Sequence, residues 1–239
     1  GTKDTSVPVE SADLLVKKLR ELGRDNLTYI RREGMGHQIS DDPSHMVPVW
    51  DGAIIWVLVQ EDQTSRLKSI EVYRKNPQDP ELHRLAEEMM RIDRRNTAIL
   101  KGIIAQHGFP LISTHGSEAN RNAWLLVQHA DQDLELQKQV LAILQKALEK
   151  RDTHAPDVAY LVDRVAVNES RAQGKELRQT FGTQGRNVES GCWQPWPIDD
   201  VARVDERRSQ YELGTLAEYI RLMNEFSGRS DCNASSSAD

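Results

Sequence analysis

Long apolar runs are missing from this chain, and no stretch approaches the roughly 18 residues that mark a membrane span. With 239 residues, 38% hydrophobic and 28% charged, it is expected to be soluble and long enough to bury a sizeable core. A positive excess is missing too. Acidic residues number 37 against 31 basic ones, a net charge of −6, so no bulk field gathers phosphates and nucleic acid is not an expected partner. Cysteine is scarce. Cys192 and Cys232 stand far apart without a CxxC pair or histidines at zinc-ligand spacing. A bridge between them would tie down a tail; reduced thiols and a cytoplasmic location are the expectation. The opening GTKDTSVPVE lacks a basic segment followed by an apolar one, so no leader is expected, although a chain already stripped of its leader would read the same.

Several catalytic signatures are absent as well: HExxH, a Cys-His array, the serine elbow GxSxG, and glycine loops in the strand-loop-helix setting that phosphates and dinucleotides require. No cofactor and no metal are therefore expected. The loose set His107, His115, His129, Asp131 and Asp133 contains one pair, His129 and Asp133, at helical spacing, which is a weak ligand pattern. No internal repeat and no sustained heptad pattern is present.

Helical periodicity dominates what is there. Leu14, Leu15, Leu19 and Leu22 place one amphipathic helix before Gly23. A longer one runs from Leu82 to Ile104 and stops at His107-Gly108. Ser117 is read as an N-cap for a helix through Trp124 and Gln128, Ala130-Asp131 as a junction, and Leu134 to Leu148 as the next stripe. Pro156 suits the first turn of a helix carrying Val158, Leu161 and Val165. Glycine, proline and tryptophan crowd residues 173–197, and a last helix is expected from about Val201 to Met223.

One segment reads differently. VPVWDGAIIWVLVQ is β-branched and aromatic around an Asp51-Gly52 turn signal, and KSIEVYRKN alternates, which predicts an antiparallel hairpin or small sheet over about 46–76. Trp50, Ile54, Ile55, Trp56, Val57, Leu58 and Val59 need cover on both faces, either from the chain's own helices or from a homodimer mate or partner protein. The expected fold is mainly α (α+β): a bundle-like domain over 1–228 with this β appendage in its N-terminal third, then a flexible tail over 229–239.

From about Asp93 to Tyr219 the motifs RIDRRN, HGFP, AWLLVQHAD, AYLVDRV, FGTQ and VDERRSQYEL occur in order. This combination resembles a mostly helical bacterial family known as a domain of unknown function. Family members carry an HGWP-like turn and a QxYGTQ motif where this chain has Phe109 and Phe181, and a shorter path into the glutamine motif than NESRAQGKELRQT. The resemblance implies that any shared pocket has a remodelled, less polar wall here. The residues before Asp93 fall outside the resemblance.

Polar residues at helix ends supply the candidate chemistry. His129 can move a proton near neutral pH with Asp131 to orient it; alternatively Asp131 caps the next helix and His129 bonds across a joint. Asp163-Arg164 interrupts an apolar helix. Arg164 can clamp a carboxylate, phosphate or sulfate while Asp163 acts as base, or the arginine can pair with Asp93 or Asp131 to fix the bundle. Asp93, Asn96, Gln128, Trp124 and Gln184 complete the candidate substrate-binding set, with a polar helix face and an ordinary loop as the alternative. His107 is read as a helix-end residue, Trp193 and Trp196 as packing anchors or pocket walls, and His37, Asp41, Asp42 and His45 as turn formers or acid/base groups at a pocket mouth. The expected function is a cofactor-independent acid/base enzyme on a small polar metabolite, by elimination, isomerisation, hydrolysis or ring closure. Asp131 or Asp163 would be its base, His129 its proton carrier and Arg164 its anion clamp. The alternatives are a noncatalytic binding or accessory subunit and a protein-interaction or inhibitor module acting through the hairpin.

Overall fold

The computed structural model describes residues 43–188, 191–229 and 231–232, with side chains from Asp51 onward. The expected helix at Glu10 to Leu22, the turn-rich stretch with His37, Asp41 and Asp42, and the side chains of His45 and Trp50 lie outside the described residues. The described part is mainly α, with seven α-helices and one small antiparallel sheet.

The β-rich segment is where the sequence reading fails. Residues Pro43–Lys75 form one continuous helix, α1, and not a hairpin over 46–76. Its buried positions Asp51, Ile55, Leu58 and Asp62 recur at steps of four, three and four, the spacing of one helix face, while Val59 broadens that face. Downstream, Asp62 with Arg66 and Glu71 with Lys75 pair at i,i+4, which supports a helix and has no counterpart in a hairpin. Tertiary burial has overridden local β preference. Gly52, read as a turn, instead faces Ala119, whose Cβ lies 3.6 Å from where a Gly52 side chain would begin, so two small residues bring α1 against its neighbour.

After Pro77 and Pro80 the chain returns as α2 (Glu81–His107), which stops at Gly108 with φ 82° as its periodicity predicted. Helix α3 (Ile112–Gln128) is broken at Gly116, φ 80°, so that Ser117 opens its longer part. Asp133 caps α4 (Leu134–Leu148) by accepting from the Leu136 amide, and Pro156 sits in the first turn of α5 (Ala155–Ala172). Helix α1 packs along α2 and α3, α4 along α5, and α3 joins the two pairs. Ile55, Leu58, Leu100, Ile103, Val127, Leu126, Val140, Leu144, Val158 and Leu161 meet in one core. Ile55, Leu58 and Val59 of the apolar run of α1 are thus covered by the chain's own helices.

The sheet lies in the glycine- and tryptophan-rich stretch. Strands β1 (Gly185–Asn187) and β2 (Trp193–Pro195) pair antiparallel, with Arg186 opposite Gln194. A Cβ at Gly185 would fall 2.3 Å from the Gln194 carbonyl oxygen and 2.4 Å from the Trp193 ring, so only glycine fits there. The expected last helix over Val201 to Met223 is two helices, α6 (Val204–Gln210) after a short 3-10 turn and α7 (Leu216–Phe226). Thr215 and Glu218 form a reciprocal capping box that restarts the chain after Glu212 and Gly214.

The cysteines are also corrected. Cys192 and Cys232 form a disulfide across 40 residues, joining the sheet to the segment after α7. No helix among the described residues is long and apolar enough to cross a membrane. A crosslink of this span constrains the unfolded chain by roughly 2–4 kcal/mol. Reduction, or the double change Cys192→Ser with Cys232→Ser, is expected to lower the urea midpoint accordingly; an unchanged midpoint would show that the bridge contributes nothing to stability.

Candidate functional site

Where α1, α2 and the end of α3 meet, charge is concentrated inside the bundle. Asp62 on α1 is 2% exposed. Removed from water, its carboxylate needs donors, and they come from three directions. His129 Nδ1 lies 3.0 and 3.1 Å from the two carboxylate oxygens, Arg66 Nε donates at 3.0 Å, and Gln63 Nε2 at 2.8 Å. Arg66 also reaches α2, where its Nη2 donates to Asp93 Oδ1 at 2.6 Å. Burial pushes the Asp62 carboxyl upward, but the hydrogen bond and charge of His129, with the charge of Arg66, outweigh it and hold the group down at about 2. Asp93 is displaced the other way: burial raises it, and Arg66 only partly compensates.

An ionised Asp62 only accepts, so His129 Nδ1 must carry the proton it shares with that carboxylate. The other ring nitrogen, Nε2, has no hydrogen bond among the described residues, and the side chain keeps 14% of its surface exposed. A carboxylate hydrogen-bonded to one ring nitrogen fixes the tautomer and orients the ring, leaving the opposite nitrogen as the one with a free lone pair.

The same atoms resemble metal ligands. Ligand atoms of Asp62, Asp93 and His129 lie within 4.8 Å of one another, the only such group among the described residues. The guanidinium of Arg66 already bonds both carboxylates, however, so a divalent ion would have to displace it. His107 and His115 are elsewhere: they share Asp51, with His107 Nδ1 at 2.7 Å and His115 Nε2 at 3.6 Å from its Oδ2. Asp133 caps α4 and pairs with Lys101.

The other expected site residues divide into those already satisfied and those not. Asp163 is fully buried and accepts from the backbone amides of Thr180, Phe181 and Thr183 and from the Thr183 hydroxyl, at 2.7–3.2 Å. Burial raises its carboxyl and these donors oppose the rise. Together with buried Arg208, which donates to the Phe181 and Gly214 carbonyls, it anchors the FGTQ loop to α5. Gln184 lies inside that loop, bonded to the Thr183 hydroxyl. Asn96 donates to the Leu58 carbonyl and locks α2 on α1. Asp131 is exposed at 47% and accepts from Asn168 at 2.8 Å, fixing the α3-α4 turn to α5; it does not contact His129. Phe109 and Phe181 are buried packing residues, the latter against Tyr211.

Three expected residues remain unfilled. Trp124 and Gln128 lie one turn apart on α3, and Tyr160 and Arg164 one turn apart on α5. The helices run side by side in the same sense at this point, since Trp124 meets Tyr160 edge-on at 6.1 Å and Asp131 meets both Arg164 and Asn168. Trp124 Nε1, Gln128 Oε1 and Arg164 Nε are all buried without a hydrogen-bond partner. Arg164 is close enough to Arg66 for their charges to interact, which joins this face to the Asp62-His129 network.

A family model matches residues 53–230, and its description is a family of unknown function (DUF6624). The chain belongs to that family. No curated protein and no solved structure matches it. The family region begins inside α1, so it takes in Asp62 and Arg66, whereas the motif resemblance started only at Asp93. Asp62 and Arg66 are the residues sequence reasoning missed: with 46–76 read as a hairpin, their i,i+4 spacing had no meaning.

Two outcomes follow from these geometries. The folded Asp62 carboxyl lies at about 2, below the ordinary 3.8, so the unfolded chain protonates first as pH falls. Its stabilisation, about 2 kcal/mol, is complete above pH ~4 and is lost between pH ~4 and ~2. Asp62→Asn is therefore expected to lower stability at pH 7 in urea denaturation and to differ progressively less from wild type on acidification through that window; a constant difference would contradict the assignment. Asp163→Ala, which orphans four donors, three of them buried, is expected to cost about 3–5 kcal/mol by the same measurement.

Proposed function

We propose that this protein is an acid/base enzyme acting on a small polar metabolite, with His129 as the group that takes and returns the proton and Asp62 as the carboxylate that orients and charges it. The observation that carries this reading is the pairing of His129 Nδ1 with the buried, ionised Asp62, which leaves Nε2 without a hydrogen-bond partner among the described residues. A histidine held in this way serves an elimination, an isomerisation, a hydrolysis or a ring closure, all of which need one proton moved and replaced. Arg66 and Asp93 complete the charge balance behind the pair. Asp131 and Asp163, the bases expected from the sequence, are occupied in fixing the α3-α4 turn and the FGTQ loop, which supports giving the proton transfer to His129 instead.

The Cys192-Cys232 bridge supports maturation in an oxidising compartment rather than the reduced cytoplasm expected from the sequence. The need for a partner over residues 46–76 is reduced, because Ile55, Leu58 and Val59 are buried within the bundle.

The test is mass spectrometry of a metabolite extract incubated with wild type, His129→Gln and Asp62→Asn, each shown by circular dichroism to be folded. Wild type is expected to consume one metabolite with appearance of a product. His129→Gln is expected to lose at least about a hundredfold of that rate, as removal of a general acid/base group does. Equal turnover by the folded His129→Gln variant would overturn the proposal.

A further inference from the structure

Arg164 is an expected site residue whose half-buried charge is only partly answered. Its single carboxylate contact runs from Nη1 to Asp131 at 3.4 Å, and that carboxylate is already held by Asn168. The Nε-Nη2 edge of its guanidinium has no acceptor among the described residues, and Nε is wholly buried. This is the edge on which arginine binds a planar or tetrahedral oxyanion through two parallel bonds. The charged and titratable groups felt by Arg164 are Asp131, Arg66, Arg171 and Tyr219, so two further cations face it against one exposed carboxylate. Tyr219 is not an acceptor for it: burial pushes the phenol up, keeping it neutral, and its hydroxyl donates to the Thr183 carbonyl at 3.0 Å.

Two more unpartnered groups lie on α3, which packs beside α5. Trp124, 9% exposed, has a buried indole N–H without an acceptor, and its ring begins the edge-to-face series Trp124, Tyr160, Tyr219, Trp193 that forms an apolar wall. Gln128, 5% exposed, has a buried side-chain oxygen without a donor. Leaving a buried polar atom unmade costs about 1–3 kcal/mol, and three such atoms on facing helix turns are a pattern that a ligand would satisfy. Their chemistry is specific: two donors that want an anion, and one acceptor that wants a hydroxyl or amino group.

We infer that Arg164, Trp124 and Gln128 form a subsite for the oxyanion of a small carboxylate or phosphate that also carries a hydrogen-bond donor. The oxyanion lies on the Nε-Nη2 edge of Arg164 and the Trp124 N–H, and the donor meets Gln128. Arg66, whose charge Arg164 feels, bonds Asp62, the partner of His129, so the subsite adjoins the proton-transferring network. This names the substrate class of the site proposed above and rests on that reading for its catalytic meaning, but not for binding itself.

The chain has five tryptophans, hence five indole N–H signals in a nitrogen-15 NMR spectrum, of which Trp124 is assigned by Trp124→Phe. Titration at constant ionic strength uses glycolate, inorganic phosphate and the neutral glycolamide, each up to about 50 mM, a range suited to ligands of so few atoms. The Trp124 signal is expected to shift saturably with glycolate, with phosphate, or with both, the responding anion naming the source of the oxyanion, and not with glycolamide. Arg164→Gln is expected to weaken that binding about ten- to a hundredfold. Should that variant fail to fold, Arg164→Lys keeps the charge without the fork and is expected to weaken it about tenfold. His129→Gln is expected to retain anion binding while losing turnover. No saturable shift with either anion, or an equal shift in the folded Arg164 variant, overturns the subsite. If His129→Gln loses turnover but no anion binds, the subsite alone fails; if anions bind and His129→Gln turns over normally, the acid/base reading alone fails.

Discussion

The Asp62 carboxylate cannot be taken out of water alone, and the helices around it are arranged to meet that requirement. Its donors come from the end of α3 through His129 and from its own helix through Arg66, and Arg66 in turn reaches Asp93 on α2. One buried charge therefore sets the register of three helices. The same demand fixes the proton on His129 Nδ1 and leaves Nε2 without a partner among the described residues, so that the packing of the bundle also sets the tautomer of this histidine.

Asp163 shows the same physics put to another use. Its carboxylate is saturated by amides and a hydroxyl from the FGTQ loop, while Arg208 donates to the Gly214 and Phe181 carbonyls on the other side. Gln179 does likewise between the Gln184 and Trp196 carbonyls, and Gln137 between the Val127 carbonyl and Asn168. In this family member, polar burial that is fully satisfied builds the frame. Polar burial left open is confined to few places, and Trp124, Gln128 and Arg164 bring three of the open atoms to facing turns of α3 and α5. The contrast between saturated and unsaturated groups separates the frame from the candidate site.

Much of the helical frame was legible because apolar periodicity is a local property. The stop of α2 at Gly108, the junction after Gln128 and the start of α5 at Pro156 follow from residues within a turn of each boundary. Two errors share one cause. Ile54 to Val59 have the composition of a strand, and only the neighbours α2 and α3 make a helix of them; the lost i,i+4 pair Asp62-Arg66 went with that misreading. The strands that do form are three residues long and held by contacts to Asn224 and to each other, too short to leave a pattern.

By itself the sequence determined which hydrogen-bonding side chains stand at the ends or within the apolar stripes of helices, His129, Arg164, Gln128 and Trp124 among them. Tertiary structure alone decided their partners. It gave His129 to Asp62 and not to Asp131, gave Asp163 to a loop, and joined Cys192 to Cys232. A side chain's chemical type is fixed along the chain, whereas the donors and acceptors that define its role come from residues 33 or 67 positions away, and only folding brings those together.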